Sequence, residues 1–453
     1  MIPWAFLLLA LLPGPLQAQD LCLVLSGEER GYLEPCGCAR PPLGGIAKRD
    51  TFLKSLSEPW LAVSLGDLAG HVRRQDELKA ETLTQALKVM GYSIHNLGEK
   101  DLDMGLDVLA YLFPPGSVPL LSSNVRLSVP LLEIAPYKVY EVGAGLKPAP
   151  TRIGFLGILS PHLIGTPPAG VEIIPPAGAM PPLIEELKGR VDALVLLSHA
   201  DMEESIKLAR DFPEFRLIVS GHGADHPTVL REGNTWVVSP GIKGKHLLLC
   251  RFNSALGSWS VETITLDERF KDSDPMLGLI DNYQQRLREE KLLSGVERFP
   301  LPGQASYVGS RACGLCHPAI FQHWGTTPHA EAYETLLKVD RAFDPECVDC
   351  HVVGLRYIGG FESLGASPEL KGVGCEACHG PGSLHVAECG MRGTKRGISN
   401  SELRIPNSAF GKVSPEVCQG CHDPEHGPSF QYEAFWGRIK HPVETPLPST
   451  RIK

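Results

Sequence analysis

The chain has 453 residues, 43% of them hydrophobic and 21% charged, with a formal net charge of −9. That length exceeds one ordinary core and sets an expectation of two or three domains, while the composition excludes a disordered chain. The negative charge excludes nucleic acid as the main partner, because no basic excess is available to neutralise phosphates.

The first residues, MIPWAFLLLALLPGPLQAQD, carry a short apolar run from Trp4 to Leu12, then Pro-Gly-Pro and Leu16-Gln17-Ala18. The run is far too short to span a bilayer. Residues 1–18 read as a cleaved export signal, which sets an expectation of a soluble periplasmic or extracellular protein. A first domain is expected over residues 20–267. LCLVLS, WLAVSLGD, RIGFLGIL, DALVLLSH and FRLIVSGH read as buried strands, each ending in polar residues. ELKAETLTQALKVMG and MPPLIEELKGR between them carry helical spacing. TWVVSP, KHLLLCRF and SWSVETITL read as antiparallel strands, and residues 143–151 and 166–182 as Pro/Gly loops. The pattern predicts an α/β domain. Residues 268–305 read as a linker, with an amphipathic helix over PMLGLIDNYQQRLREEKLL and a break at FPLPGQ.

Over residues 306–453 long apolar runs disappear, leaving short helices, glycines and nine of the sixteen histidines. A segment so poor in apolar runs needs something else to fill its core. Eight of the thirteen cysteines lie here in four pairs: Cys313/Cys316, Cys347/Cys350, Cys375/Cys378 and Cys418/Cys421. Each pair encloses two residues and is followed at once by a histidine: His317, His351, His379 and His422. C-x-x-C-H is the spacing of covalent c-type haem attachment, with the histidine placed to ligate iron from below. A zinc site would use two such pairs but gives no reason for the recurring histidine. A disulfide or redox C-x-x-C leaves it equally unexplained. The expectation is four haem c groups, which would also supply the missing apolar interior.

The order Trp324 then His329, GVGCEACHGPGSLH, and a final FWGRIKH ending at His441 resembles the tetrahaem cytochrome c-554 family over about residues 308–442. The resemblance implies distal ligand roles for His329, His385 and His441, a five-coordinate second haem on His351, and surface or supporting roles for His323 and His426. It also implies a mainly α, haem-packed fold and redox partner proteins.

In the first domain Asp67, His199 and His222 close buried strands, where an α/β domain gathers a site. Together with Phe52, Leu53 and the SSNV stretch ending at Val125, they resemble the metallophosphoesterase fold of exported 5'-nucleotidases, an α-β-β-α sandwich, over about residues 20–265. Such enzymes use two metals to generate a hydroxide nucleophile. The departures are as informative. Where the family has Asp-x-His this chain has Glu28-Glu29-Arg30; for Gly-Asn-His it has Gly98-Glu99-Lys100; for Gly-His-x-His it has Gly221-His222-Gly223-Ala224. The resemblance therefore implies one divalent metal at most, on Asp67, Glu99, His199 and His222, with Arg30 and Lys100 supplying charge in place of the second.

Cys36 and Cys38 form a close-set pair, read as a metal clip, a strained redox pair or partners for Cys22. They are the candidate catalytic thiols; Cys250 and Cys389 read as buried thiols or as members of a disulfide. Three functions compete: electron transfer through four haems with the front domain as a docking module; a redox enzyme acting at an open haem or at the N-terminal Cys/metal site; and a haem-linked phosphoesterase.

Overall fold

The computed structural model describes residues 21–36, 41–142, 151–222, 225–392, 413–423, 426–427 and 429–441. The expected export signal, Cys38, Ala224 and the side chain of Cys389 lie outside the described residues. The chain divides into two compact units, one within Met1–Pro35 and Pro42–Ile280, the other within Cys36–Pro41 and Asp281–Lys453.

The first unit is built on two sheets. In the seven-stranded sheet, β1 (Leu21–Ser26), β2 (Trp60–Ser64) and β3 (Tyr92–Asn96) run parallel at the centre. Helix Ile46–Ser55 connects the first two and helix Arg74–Val89 the next two. His246–Asn253 and Ser258–Thr265 add an antiparallel hairpin beside β1. The six-stranded sheet has Thr151–Leu159, Ala193–Asp201, Phe215–His222 and Thr235–Ser239 in parallel, with antiparallel strands at both edges. Thr235–Ser239 thus has a parallel neighbour as well as the expected antiparallel one.

Leu23, Leu25, Val63 and Ile94 from one sheet pack with Phe155, Val195, Leu197 and Val219 from the other in a single buried cluster. Helices Pro176–Leu187 and Met202–Asp211 bury Met180, Leu187 and Leu208 on the far face of the second sheet. The strands are covered on both faces, which is why they read as continuous apolar runs rather than alternating ones. The layers are α-β-β-α. The expected loop at 166–182 is instead strand Val171–Ile173 followed by the helix starting at Pro176. Proline is tolerated at that first helical position because its missing N–H has no partner there anyway.

The second unit is mainly short helices, including Pro318–Trp324, Ala332–Lys338, Pro345–His351, Cys375–His379, Ser383–Arg392 and Tyr432–Ile439. Among the described residues it holds one small apolar cluster, around Tyr333, Leu336, Val348, Val353, Leu355, Phe361 and Leu370.

Candidate metal centre and haem-binding motifs

In the first unit the polar residues that end the parallel strands converge. Asp67 follows β2 in a left-handed conformation, φ 54°. Gly98 allows the approach, because a Cβ there would lie 2.1 Å from Asp67 Oδ1. Asp101 ties the two loops together. Its carboxylate accepts the N–H of Asp67 at 3.0 Å, Leu68 at 2.9 Å and Gly98 at 2.9 Å, and His95 Nε2 sits 3.1 Å away. The other His95 nitrogen meets Ser64 Oγ at 2.9 Å, so the whole hub is buried and satisfied.

His199 is fixed as one tautomer. Its Nδ1 lies 2.8 Å from the Leu65 carbonyl, which can only accept, so Nδ1 carries the proton. Its Nε2 then faces Glu99 Oε2 at 2.6 Å and Asp67 Oδ1 at 3.5 Å. His222 Nε2 faces Glu99 Oε1 at 3.0 Å, Glu28 Oε1 at 3.4 Å and Asp67 Oδ2 at 3.7 Å. Lone pairs turned toward carboxylates at these distances need a cation between them, either protons or a metal.

The electrostatics agree. Burial opposes charge on His222, yet the nearby Asp67 carboxylate and the hydrogen bond to Glu99 push it up to about 9. Burial would raise Glu99, but the two histidines bring it down to about 2. Burial would also raise Asp67, and His199 with His222 holds it well below the carboxylate range.

Glu28, Asp67, His199 and His222 each offer a ligand atom within 4.8 Å of one another. Glu28 was missed from sequence; it stands just beyond the end of β1 and is fully buried. Glu99 reaches the same cluster by its bonds to both histidines. Arg30, left-handed at φ 46°, donates through Nε to Glu28 Oε2 at 2.7 Å. Lys100 does not supply charge here, contrary to expectation. Its ammonium reaches the exposed Asp103 at 3.1 Å, and only its backbone N–H turns inward, to Asp67 Oδ1 at 2.9 Å. Lys100 is the second residue of the short helix Glu99–Asp103; its side chain points outward, while the N–H of the first turn is free to cap a carboxylate.

Cys36 is disulfide-bonded, with its partner outside the described residues. Cys22 and Cys250 are both free and buried in paired strands, so Cys22 is not that partner.

In the second unit the four C-x-x-C-H motifs sit on short helices or their ends. Seven of the eight motif cysteines are partly buried, as a haem-packed interior requires. Cys316 departs from that expectation and is exposed. Helix Ser310–Gly314 ends two residues before it, so Cys316 falls in a turn at the surface, beside Leu315 at 84% exposure. Attachment needs only a reachable sulfur, so Cys316 still suits a thioether, but the chain encloses it less than its counterparts.

Cys313 lies beside Cys375 and Cys350 beside Cys421, setting the first motif next to the third and the second next to the fourth. Three motif histidines face the three lone histidines singled out in the sequence. His317 lies against His385 with ring centres 6.2 Å apart, His422 against His329 at 6.1 Å, and His379 against His441 at 6.0 Å. Two iron–nitrogen bonds of about 2 Å, with about 1 Å from each nitrogen to its ring centre, come to this spacing. The residues fit haem iron held between two imidazoles. Burial lowers His329, His379 and His422, favouring the neutral form that can ligate.

His351 differs. Its Nδ1 donates to the Ala332 carbonyl at 2.6 Å, and among the described residues no histidine ring stacks against it. His426 is held by Asp423 at 2.9 Å, and His323 is half-buried in helix Pro318–Trp324. Neither faces a motif histidine.

GVGCEACHGPGSLH is the strap that organises these pairs. Val373 N–H bonds the His329 carbonyl at 2.9 Å, and the Val373 carbonyl accepts Trp324 Nε1–H at 2.9 Å. The Glu376 carboxylate accepts N–H groups of Val308, Gly309 and Gly382. The turn through Gly380-Pro381-Gly382 then starts helix Ser383–Arg392, which carries His385 to His317 rather than back to His379.

Residues 312–380 match the family model described as cytochrome c554 and c-prime. A curated relative, cytochrome c-554 of Nitrosomonas europaea, is 33% identical over 142 residues, covering 27% of this chain and 60% of the relative. The chain thus spans under two thirds of that relative. Among solved structures, a 5'-nucleotidase precursor from Thermus thermophilus superposes with TM-score 0.54 at 21% identity, covering 71% of this chain and 68% of that one. The NAD nucleotidase of Haemophilus influenzae gives 0.52 at 18% identity, covering 65% and 64%. These likenesses show the fold of the first unit. The chain therefore places a segment similar to cytochrome c-554 behind a unit with the 5'-nucleotidase, or metallophosphoesterase, fold.

Proposed function

We propose that this protein is an exported tetrahaem c-type cytochrome that relays electrons between redox partner proteins. One observation carries the reading: four C-x-x-C-H motifs lie in one small unit, and three of their histidines face a second imidazole at a common spacing near 6 Å. Haem held this way supplies reversible one-electron chemistry at iron closed to other ligands. The chain's part is to hold neutral imidazoles in place and to tie the third motif's strap to its neighbours through Val373 and Glu376. Among the described residues no helix is long and apolar enough to cross a membrane. Haem staining and intact mass of protein matured by a competent haem-export system test the reading. Four added haem masses are expected, and bare polypeptide mass refutes it.

A second reading, a redox enzyme, is favoured by His351, whose ring has no facing imidazole among the described residues. Carbon monoxide or nitric oxide binding at one haem per chain supports that reading; wholly low-spin, unreactive spectra support pure relay. The first unit we read as a docking or sensing module rather than an ordinary hydrolase, because Arg30 is paired with Glu28 inside the candidate centre. Normal turnover of nucleotide monophosphates or bis-esters by the purified protein with added divalent metal would sink this part.

A further inference from the structure

The residues of the first unit do not fit a two-metal centre. We infer that it takes a single divalent first-row metal ion, with the Arg30 guanidinium fixed as a permanent cation on the carboxylate a second ion would need. The inference refines the reading of this unit as something other than a two-metal hydrolase, and it stands apart from the haem assignment.

The argument starts from donor atoms. Glu28 Oε1 and Asp67 Oδ2 are buried without a hydrogen-bond partner, although both residues are fully buried. Unpartnered buried carboxylate oxygens are costly, and these two point into the same small volume as His199 Nε2 and His222 Nε2. The His199 tautomer leaves its lone pair on that side. Two imidazoles and three carboxylates suit a hard to borderline ion such as Mn²⁺, Fe²⁺ or Zn²⁺. The Asp101 hub holds the Asp67 and Glu99 loops at fixed separation, so the site is preorganised.

The count of one follows from Arg30. Both Nε and Nη2 engage Glu28 Oε2, with Nε at 2.7 Å. That oxygen is spent on a guanidinium, which cannot be deprotonated to make way for a metal. Three carboxylates against one guanidinium leave two negative charges, which one divalent ion balances. The Arg30 and His222 side chains are 32% and 23% exposed, whereas those of Glu28, Asp67 and His199 are closed off. The open side of the ion is therefore flanked by a guanidinium, which suits binding a small oxyanion and leaves no second ion to activate water for in-line attack.

The test uses the full haem-loaded protein, stripped of loosely bound metal and titrated with Mn²⁺. Room-temperature electron paramagnetic resonance reads the free ion, whose six-line signal falls as Mn²⁺ binds; frozen samples read the bound ion, and elemental analysis with haem iron subtracted gives stoichiometry. The expected result is one Mn²⁺ per chain with an uncoupled six-line signal. Glu99→Gln and His199→Gln should each weaken it by at least about tenfold. Two ions with an exchange-coupled signal would overturn the inference, and so would no binding at millimolar Mn²⁺. Should His199→Gln lose its far-ultraviolet circular dichroism, folded Glu99→Gln decides, and unchanged affinity there also overturns it. The haem spectrum, recorded alongside, reports separately on the electron-transfer reading.

Discussion

Replacing His385 by alanine tests the ligand pairing at one iron. The His317 and His385 ring centres are 6.2 Å apart, and half of that places each coordinating nitrogen about 2 Å from a shared iron. Alanine ends at Cβ, which leaves no donor on that side, so the iron loses its sixth ligand and turns high-spin. Relative to the parent protein, His385→Ala should gain one high-spin haem in four, and carbon monoxide bound per reduced chain should rise by about one. The assay is optical and magnetic spectroscopy of the ferric protein, followed by carbon monoxide titration after reduction. His323→Ala is the control and should leave both counts unchanged, because His323 faces no motif histidine. Unaltered counts in folded His385→Ala would refute the pairing, and a change in His323→Ala would point to a different partner.

The remaining predictions concern the first unit. Glu29→Ala leaves Arg49, wholly buried and bonded to Glu29 at 2.6 and 2.7 Å, as an unpaired interior charge; a loss of about 3–5 kcal/mol is expected in urea unfolding. Asp101→Ala strips acceptors from three buried N–H groups and should cost about 3 kcal/mol or more by the same measurement, with Mn²⁺ affinity falling as well. In metal-free protein the raised His222 contributes stability that is full below its unfolded value and lost as pH climbs through about 9. The lowered Glu99 works in the opposite sense, its contribution full above the ordinary carboxylate range and lost as pH falls through about 2. Midpoints of thermal unfolding should therefore plateau from mildly acidic pH to about 6.5 and decline on the alkaline side, less so with bound Mn²⁺. A rise between about pH 7 and 9 in the metal-free protein would contradict the His222 assignment.

Much of the first unit was legible because strands sandwiched between two layers must be apolar throughout, and LCLVLS or DALVLLSH announce that without ambiguity. The C-x-x-C-H motifs were equally plain, since attachment chemistry is local in sequence. Their burial was not: Cys316 shares the motif of its counterparts yet lies in a surface turn, because enclosure depends on what packs over a helix end. Glu28 was not legible either. It joins His199 only because β1 ends at the same rim as a strand in the other sheet, and nothing in Glu28-Glu29-Arg30 tells which acid turns inward. The neighbouring Glu29 turns instead to Arg49, a pair that only three-dimensional packing creates. Lys100 misled for a related reason: its position predicted charge at the centre, but the first turn of a helix delivers the N–H inward and the ammonium outward. The distal histidines were reachable through resemblance alone, because His329 and His422 are joined by folding rather than by spacing.

That last feature has mechanical weight. With iron ligated as proposed, each histidine pair clasps the chain as a cross-link, closing loops of roughly 70, 90 and 60 residues that restrict the unfolded ensemble much as disulfides do. The loops overlap: the stretch from His317 to His385 contains His329 and His379, whose own partners, His422 and His441, lie beyond it. Three interlocked clasps hold better than three separate ones, since releasing any one leaves most of its span inside the other two. The unit is laced shut by its redox centres, and an early stop before His441 would untie the outermost knot while leaving all four attachment motifs intact.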